Sequence, residues 1–384
     1  MISNVVSLWP FALILQPVFS AQYSTTDSTT PHANTENCTC YVVNSGANSK
    51  SPTYFQYYRF FDFRNLADRP RQYIDTPPLV NNSQSAGTAN VWNANILDSD
   101  AWKNDWGIQN WSKPATYDFP IPMENSPANV FIQQNDDDKD TSTFLTLRTT
   151  RMKDSQSAAE IENEQKNLMH VSMRMQARVT GSKGAVAGFF TFFDDDNETD
   201  IEILTNDPTD TIRYTNQPAV DKQGNEVATA SVMGKKLSPW DEWQTHRIDW
   251  LDKHSYWYLN GNQVATNTYS VPRKPSGLTI NMWSDGGEWS GNMTVGDSAE
   301  FQIQWIEMTF NTSGPVTGAK GGDEKRSVEE LEKRKDKGCK VICSIDDVEK
   351  TGTPEVVRVS GAADMAVSWG LLVVVGVVSL LVGM

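Results

Sequence analysis

Glu198, Asp200 and Glu202, within the stretch NETDIEIL, set three carboxylates on alternate positions. Successive side chains of a β-strand point to opposite faces, so the three would share one face while Thr199, Ile201 and Ile203 turn to the other. Like charges in a row repel, and a strand with a purely structural purpose would dilute them with Lys or Thr. Glycoside hydrolysis needs two carboxylates in different protonation states. One attacks the sugar as an anion, and the other protonates the leaving group and then acts as base. A third between them can hydrogen-bond the nucleophile and keep the acid protonated through its charge. A retaining pair stands about 5–5.5 Å apart at its carboxyls, whereas positions i and i+4 of a flat strand are roughly 13 Å apart at Cα. The sheet must therefore curve, and the site is expected on a concave face.

The acids just upstream, Asp194, Asp195 and Asp196, also suggest a calcium loop. An EF-hand requires Gly at its sixth position and a bidentate Glu at its twelfth; Thr199 occupies the sixth position, and no helical pattern flanks the segment. The acids read instead as the turn of a hairpin between GAVAGFFTFF and TDIEIL. A structural calcium ion is compatible with that turn, and no other cofactor is called for. His32, His170, His246 and His254 include no pair at metal-ligand spacing. A Gly-rich phosphate loop and a G-x-S-x-G elbow are both absent.

The elements that must hold these carboxylates are strands. Runs rich in Val, Thr, Phe, Tyr and Trp recur from about Cys38 to Asn311: 144–148, 169–179, 185–193, 200–204, 244–250, 255–259, 278–283 and 301–310. Asn260-Gly261 between two of them is a strong hairpin signal, and FQIQWIEMTF alternates as a half-buried strand does. Many evenly spaced strands over this length predict an all-β fold, an antiparallel β-sandwich or jelly roll of two sheets. One helix is expected from Ser327 through LEKRK, inside a charged tail.

The stretch Glu198-Thr199-Asp200-Ile201-Glu202 resembles the E-x-D-x-E signature of glycoside hydrolase family 16. That family includes β-1,3-1,4-glucanases, plant xyloglucan transglycosylases and fungal cell-wall glucan–chitin transglycosylases. GFFTFF before the motif, WQTHRIDWLDKHSYWYLNGNQV and LTINMWSDGGEW are similar to further family segments, in the family's order, over roughly residues 169–310. The resemblance implies a concanavalin A-like sandwich with Glu198 as nucleophile, Asp200 as assisting carboxylate and Glu202 as acid/base. It implies Trp283 as a sugar-stacking residue and Asn281 as a polar contact, with Trp289 beside them in the cleft. His246 is a candidate for touching substrate or Asp200, and a packed strand histidine is the competing reading. Asn197 stands where members often carry Asp or His, and Thr199 replaces the usual Ile or Leu; both leave the polysaccharide open. Trp243, Trp250, Trp257 and Trp305 are expected in the core. Trp92, Trp102, Trp106 and Trp111 lie in a loop-like region able to offer sugar platforms, with packing the expectation for each.

The first reading is therefore a retaining glucanase of β-1,3 or mixed β-1,3/1,4 links. A wall-remodelling transglycosylase sharing the same intermediate is the alternative, and a lectin-like sandwich that binds glycan without cleaving it is the third. A formal net charge of −15 over 384 residues argues against nucleic acid and against a basic membrane-binding surface. The expected partner is a neutral polysaccharide, and the chain is expected to be a monomer.

The two ends predict secretion. Val5 to Phe19 is mostly apolar and ends in small residues, the pattern of a signal peptide over 1–20, although it lacks a preceding Lys or Arg and contains Pro10 and Pro17. Residues 21–37 read as a polar, flexible lead-in, 38–314 as the catalytic domain and 315–360 as a charged stalk. Small residues from Ser360 followed by an apolar run to Met384 read as a lipid-attachment (GPI) signal over 361–384, with Ser360 or Gly361 the acceptor; membrane contact would then be through the lipid alone. Cys38, Cys40, Cys339 and Cys343 suit an oxidising compartment. A bridge within Cys38-Thr39-Cys40 would be strained, so pairing between the two clusters is expected, with a four-thiolate zinc site the alternative. Glycosylation sequons begin at Asn37, Asn81, Asn110, Asn197, Asn292 and Asn311.

Overall fold

The computed structural model describes residues 23, 25–27, 38–46, 51–66, 93–135, 143–317 and 339–359. The expected signal peptide, the lipid-attachment signal with Ser360, Asn37, Asn81, Trp92 and the helix from Ser327 lie outside the described residues. Among those described, no helix is long and apolar enough to cross a membrane.

The chain folds as the expected antiparallel β-sandwich of the jelly-roll kind. The cleft-bearing sheet runs Trp106–Ile108, Gln156–Asn163, Gly277–Trp283, Val186–Asp194, Asn197–Leu204, Ile212–Asn216 and Ser231–Gly234, each antiparallel to its neighbour. Behind it, Tyr57–Asp62, Ser298–Thr312, Leu168–Gly181, Gln244–Trp250, Ser255–Leu259 and Asn262–Asn267 form the spine of the second sheet. Gln156–Asn163 joins the two sheets, pairing with Thr143–Arg151 at its start and with Gly277–Trp283 further on. Asn260 and Gly261 turn their hairpin with φ of 49° and 76°, the left-handed pair that an Asn-Gly turn supplies at least cost.

Period-two patterning decides what fills the space between the sheets. Ile201 and Ile203 of the motif strand, Phe189 beside it, and Leu278, Ile280 and Met282 are buried against Met173, Met175, Ile248, Trp250, Ile303 and Ile306. Truncating a single such aliphatic side chain to Ala costs about 2–5 kcal/mol. Trp250 and Trp257 belong to this core as expected, and Trp102 and Trp106 join it from the short helix Asp100–Asp105 and the strand after it. Ser99 starts that helix, accepting the Trp102 backbone N–H at its Oγ at 3.2 Å. Trp305 packs in a second, smaller cluster on the back of the sandwich.

That second cluster corrects two expectations. Residues 339–359 are not a stalk: Val341–Ser344 and Glu355–Val359 pair in a four-stranded sheet with Cys40–Ser45 and Ser51–Phe55. Alternation within VICSI packs Val341, Cys343 and Ile345 with Tyr41, Val43, Phe55 and Tyr58, an apolar content the flanking charged residues obscure. The lead-in is likewise ordered in part. Tyr23 is buried, its hydroxyl donating to Asp105 at 3.0 Å and accepting from the Trp106 indole at 3.1 Å, and Thr25–Asp27 pairs with Tyr57–Asp62. The cysteines pair between the clusters, Cys38 with Cys343 and Cys40 with Cys339.

Candidate active site

The hairpin Val186–Asp194 and Asn197–Leu204 carries the acidic motif. Its turn is held by Asp194, whose Oδ1 accepts the Asp196 backbone N–H at 3.1 Å and the Asn197 amide at 2.7 Å. The Asn197 Oδ1 accepts the Arg273 backbone N–H at 3.1 Å, so this sequon side chain is engaged at both ends. Among the described residues no group of three or more His, Cys, Asp or Glu has a metal-binding arrangement, and Asp194 serves the turn.

Thr199, Ile201 and Ile203 face the core, with Thr199 Oγ1 3.3 Å from Ser255 Oγ. Glu198, Asp200 and Glu202 face the other way, into a cavity of about 190 Å³. Register sets their neighbours: Glu202 lies opposite Gly188 and Arg213, Asp200 opposite Phe190 and Thr215, and Glu198 opposite Phe192. A Cβ at Gly188 would meet Asn281 Oδ1 at 2.5 Å and the Phe190 ring at 3.2 Å, so these two side chains occupy the space beside it.

The three carboxylates are electrostatically one unit. Asp200 is 1% exposed; its Oδ2 accepts from Gln217 at 3.2 Å and its Oδ1 has no donor. Burial pushes its carboxyl well above the usual range, and the charges of Glu198 and Glu202 push it further. A proton on Asp200 is then shared with Glu198, a hydrogen bond that favours the ionised form of Glu198. Burial nevertheless raises Glu198 to about 7, with Glu202 and Asp195 adding to the rise. Glu202 is also raised to about 7 by burial, against the Trp289 indole N–H that donates to its Oε1 at 3.2 Å and the Arg213 charge. Such a cluster holds protons near neutrality and exchanges them among its members.

The opposite wall comes from strands far away in sequence. Glu160 is 7% exposed and lies opposite Asn281. Its Oε1 accepts the Trp111 indole N–H at 2.9 Å and its Oε2 accepts the Asn281 amide at 3.3 Å. Burial raises the Glu160 carboxyl despite those two bonds. The Asn281 Oδ1 is buried against Gly188 and has no donor. Trp283, Asp285, Lys113, Met123 and Asn125 complete the lining. Asp285 braces the loop beyond Trp283, its Oδ1 accepting from Ser290 Oγ at 2.8 Å and the Gly287 N–H at 3.0 Å.

The structure thus brings together Glu198, Asp200, Glu202, Asn281 and Trp283, with Trp289 on the rim at 38% exposure. It does not bring His246. That side chain is 1% exposed and shares strand parity with Ile248 and Trp250, so it points between the sheets. Burial lowers it to about 4, leaving a neutral imidazole away from the cleft. Of the described loop-region indoles, Trp111 reaches the cleft, while Trp102 and Trp106 are in the core. Glu160, Gly188, Phe190, Arg213 and Asp285 escape a reading of the sequence because only sheet register assembles them. A lone Glu in the otherwise small and apolar run SAAEI is the one signal that marks Glu160.

Residues 124–307 match the profile of Glycosyl hydrolases family 16. The chain is 32% identical over 152 residues to a Beta-glucanase of Brevibacillus brevis, covering 37% of this chain and 55% of that one. Over 179 residues it is 25% identical to Congo red hypersensitive protein 1 of Saccharomyces cerevisiae, covering 43% and 34%. The chain therefore spans about half the length, or less, of these relatives. Among solved structures, a Bacillus licheniformis beta-glucanase superposes with a TM-score of 0.42 at 18% identity, covering 54% of this chain and 92% of that one.

Proposed function

Residues 124–307 belong to glycosyl hydrolases family 16, and from that premise we propose that the chain is a retaining glycoside hydrolase of β-1,3 or mixed β-1,3/1,4 glucan. The observation that carries this reading is the set Glu198, Asp200 and Glu202, on one strand face in one cavity, with burial raising all three carboxyls and bringing Glu198 and Glu202 to about 7. The bacterial relatives named Beta-glucanase support a β-glucan as the substrate class.

In this mechanism Glu198, ionised with Asp200 donating to it, attacks the anomeric carbon. Glu202 gives its proton to the departing glycosidic oxygen as that bond breaks, leaving a glycosyl ester on Glu198. Glu202, now a carboxylate, takes a proton from water, and the resulting oxygen nucleophile displaces Glu198. Trp283 offers a flat face to sugar C–H surfaces, and the Asn281 side chain lines the cavity as a polar group beside it. Glu160, held by Trp111 and Asn281, is a further polar contact on that wall.

The same ester can pass to a sugar hydroxyl in place of water. The exposed faces of Trp289 and Met233, which continue the floor laterally from Glu202, favour that transglycosylase reading as the second one. Product analysis with laminarin, lichenan and xyloglucan, each with a labelled oligosaccharide acceptor, separates the two fates. Release of short glucans without label transfer is the expected result. Binding of glucan with neither product would leave only a lectin and overturn both enzymatic readings.

Secretion and a lipid anchor at Ser360 belong to the same proposal. The two disulfides support an oxidising compartment, and release from cells by a GPI-specific phospholipase tests the anchor. Glycans are proposed at the exposed Asn110 and Asn292 ahead of Asn197 and Asn311, whose side chains are hydrogen-bonded to their surroundings.

A further inference from the structure

An acid/base must keep one carboxyl oxygen committed and present the other to the sugar. Glu202 Oε1 is committed to the Trp289 indole, yet Trp289 is too exposed to be held by burial alone. Other contacts hold it. The Arg213 guanidinium lies over the indole, 4.7 Å from the ring centroid. Arg213 is clamped in turn by Asp207, with Nε to Oδ2 at 2.9 Å and Nη2 to Oδ1 at 3.2 Å. Asn206 Nδ2 donates to the carbonyl of Ser290, the residue after Trp289, at 3.3 Å. Two successive residues in the turn after the motif strand therefore fix both the loop that carries the indole and the cation stacked on it. Arg213 is also the ladder partner of Glu202, so it stands on the same face.

We propose that Asp207, Arg213 and Trp289 form a positioning relay for Glu202, committing Oε1 to the indole so that the acidic proton is presented on Oε2, beside a charge-compensated cation. The relay rests on the acid/base reading of Glu202 and deepens it; its members act through Glu202. A bidentate Arg–carboxylate pair is geometrically stiff, and a planar guanidinium stacks on an indole as an ammonium does not. The charged groups that line the cavity with Glu202 are Glu198 and Asp200 on its own strand and Lys113, Glu160 and Asp285; Arg213 is its ladder partner and is paired with Asp207, and Glu288 precedes Trp289 in the chain. Burial raises Glu202 while the indole bond and Arg213 pull it down. Asp207 screens Arg213, so its removal strengthens that pull.

The test is the alkaline limb of kcat/KM on lichenan, which reports the free enzyme's acid. Trp289→Phe keeps a stacked ring without the N–H, and Arg213→Met keeps packing without charge. Each is expected to move the limb up by about one unit, and Asp207→Asn to move it down by about half a unit. Opposite shifts from two residues in direct contact are not what a merely loosened structure gives. Arg213→Lys is expected to restore part of the limb. Rates on lichenan should fall about tenfold to hundredfold, with a much smaller loss on an aryl β-glycoside whose leaving group needs no protonation. Glu202→Gln is the control for the underlying reading. If it cleaves lichenan at the wild-type rate, the acid/base role falls and the relay with it. If it is inactive on lichenan but active on the aryl glycoside, while all folded relay variants keep the wild-type limb, the relay alone is overturned. Should one variant fail to fold, the limbs of the other two decide.

Discussion

Two clusters of buried carboxylates in this molecule, the cleft triad and the Asp249–Asp346 group on the back, are treated in opposite ways. On the back of the sandwich, Arg247 and Asp249 share a strand face, joined by bonds of 2.7 and 2.6 Å. The four-stranded sheet covers them with Asp346, which meets Arg174 at 2.8 Å and Arg247 at 3.2 Å. Burial pushes Asp346 up, but the two guanidiniums more than offset it and hold its carboxyl below the usual value. In the cleft, three carboxylates stand on one strand, and the guanidinium beside them, Arg213, is already paired with Asp207. There burial prevails and the carboxyls rise. Arginines arranged as on the back would neutralise the cleft, and they would also leave no group able to give and take a proton near pH 7. The contrast marks the cleft as the place where folding stability is forgone for chemistry.

Breaking the cleft should have the largest effect. Glu198→Gln or Glu202→Gln is expected to lower glucan turnover by about 10⁴-fold, measured by reducing-end release, while the melting temperature at pH 8 rises. A fall in melting temperature would mean that the front carboxylates are structural and the contrast with the back is false. On the back, replacing all four cysteines by Ser should cost about 5 kcal/mol, because the bridges close loops with sequence separations of 305 and 299. Removing either bridge alone should cost far less, since the survivor already closes nearly the same loop. Denaturant melts of the two single-bridge variants and the doubly broken one check this. Arg247→Met should cost about 3–5 kcal/mol by leaving Asp249 without its cation, while Asp346 keeps Arg174, with specific activity unchanged in the folded fraction.

What could be read from the sequence follows the same division. The motif strand is legible because period two alone puts Glu198, Asp200 and Glu202 on one face, and Trp283 and Asn281 follow the same parity in INMW. The opposite wall is not, because Glu160, Gly188 and Phe190 meet the motif only through sheet register. The back misleads for a physical reason. Arg247 and Asp249 alternate with Ile248 and Trp250, the pattern of a strand with one face in water, yet a sheet assembled from residues near both ends of the chain covers that face. The charged segment ahead of Cys339 hides the apolar alternation of VICSI in the same way. His246 illustrates the converse case: its chemistry suggests the cleft, while its parity with Ile248 and Trp250 assigns it to the core.

The cleft pair and Asp346 should also respond to pH with opposite sign, the smallest and sharpest test of the comparison; Glu307, raised by burial on the back, shares the sign of the cleft. Glu198 and Glu202 are raised in the folded state to about 7 from an ordinary value of 4.5. Between those values the folded protein binds more protons than the unfolded chain, so stability is fully present below about 4.5 and is lost as pH rises through 7. Because the cluster titrates as a unit, the loss is taken as on the order of 2 kcal/mol rather than the sum of its members. Asp346 is lowered from 3.8, so its contribution is present above that value and is lost as pH falls below it. Urea melts from pH 3 to pH 8 should therefore give a dome with two separable sides. Glu198→Gln with Glu202→Gln should reduce the neutral side, leaving the share of Glu307, and keep the acid side in place, whereas Asp346→Asn should reduce the acid side alone. A variant that flattened both would show that the two charge systems are coupled through the core, and the division between an uncompensated front and a compensated back would not hold.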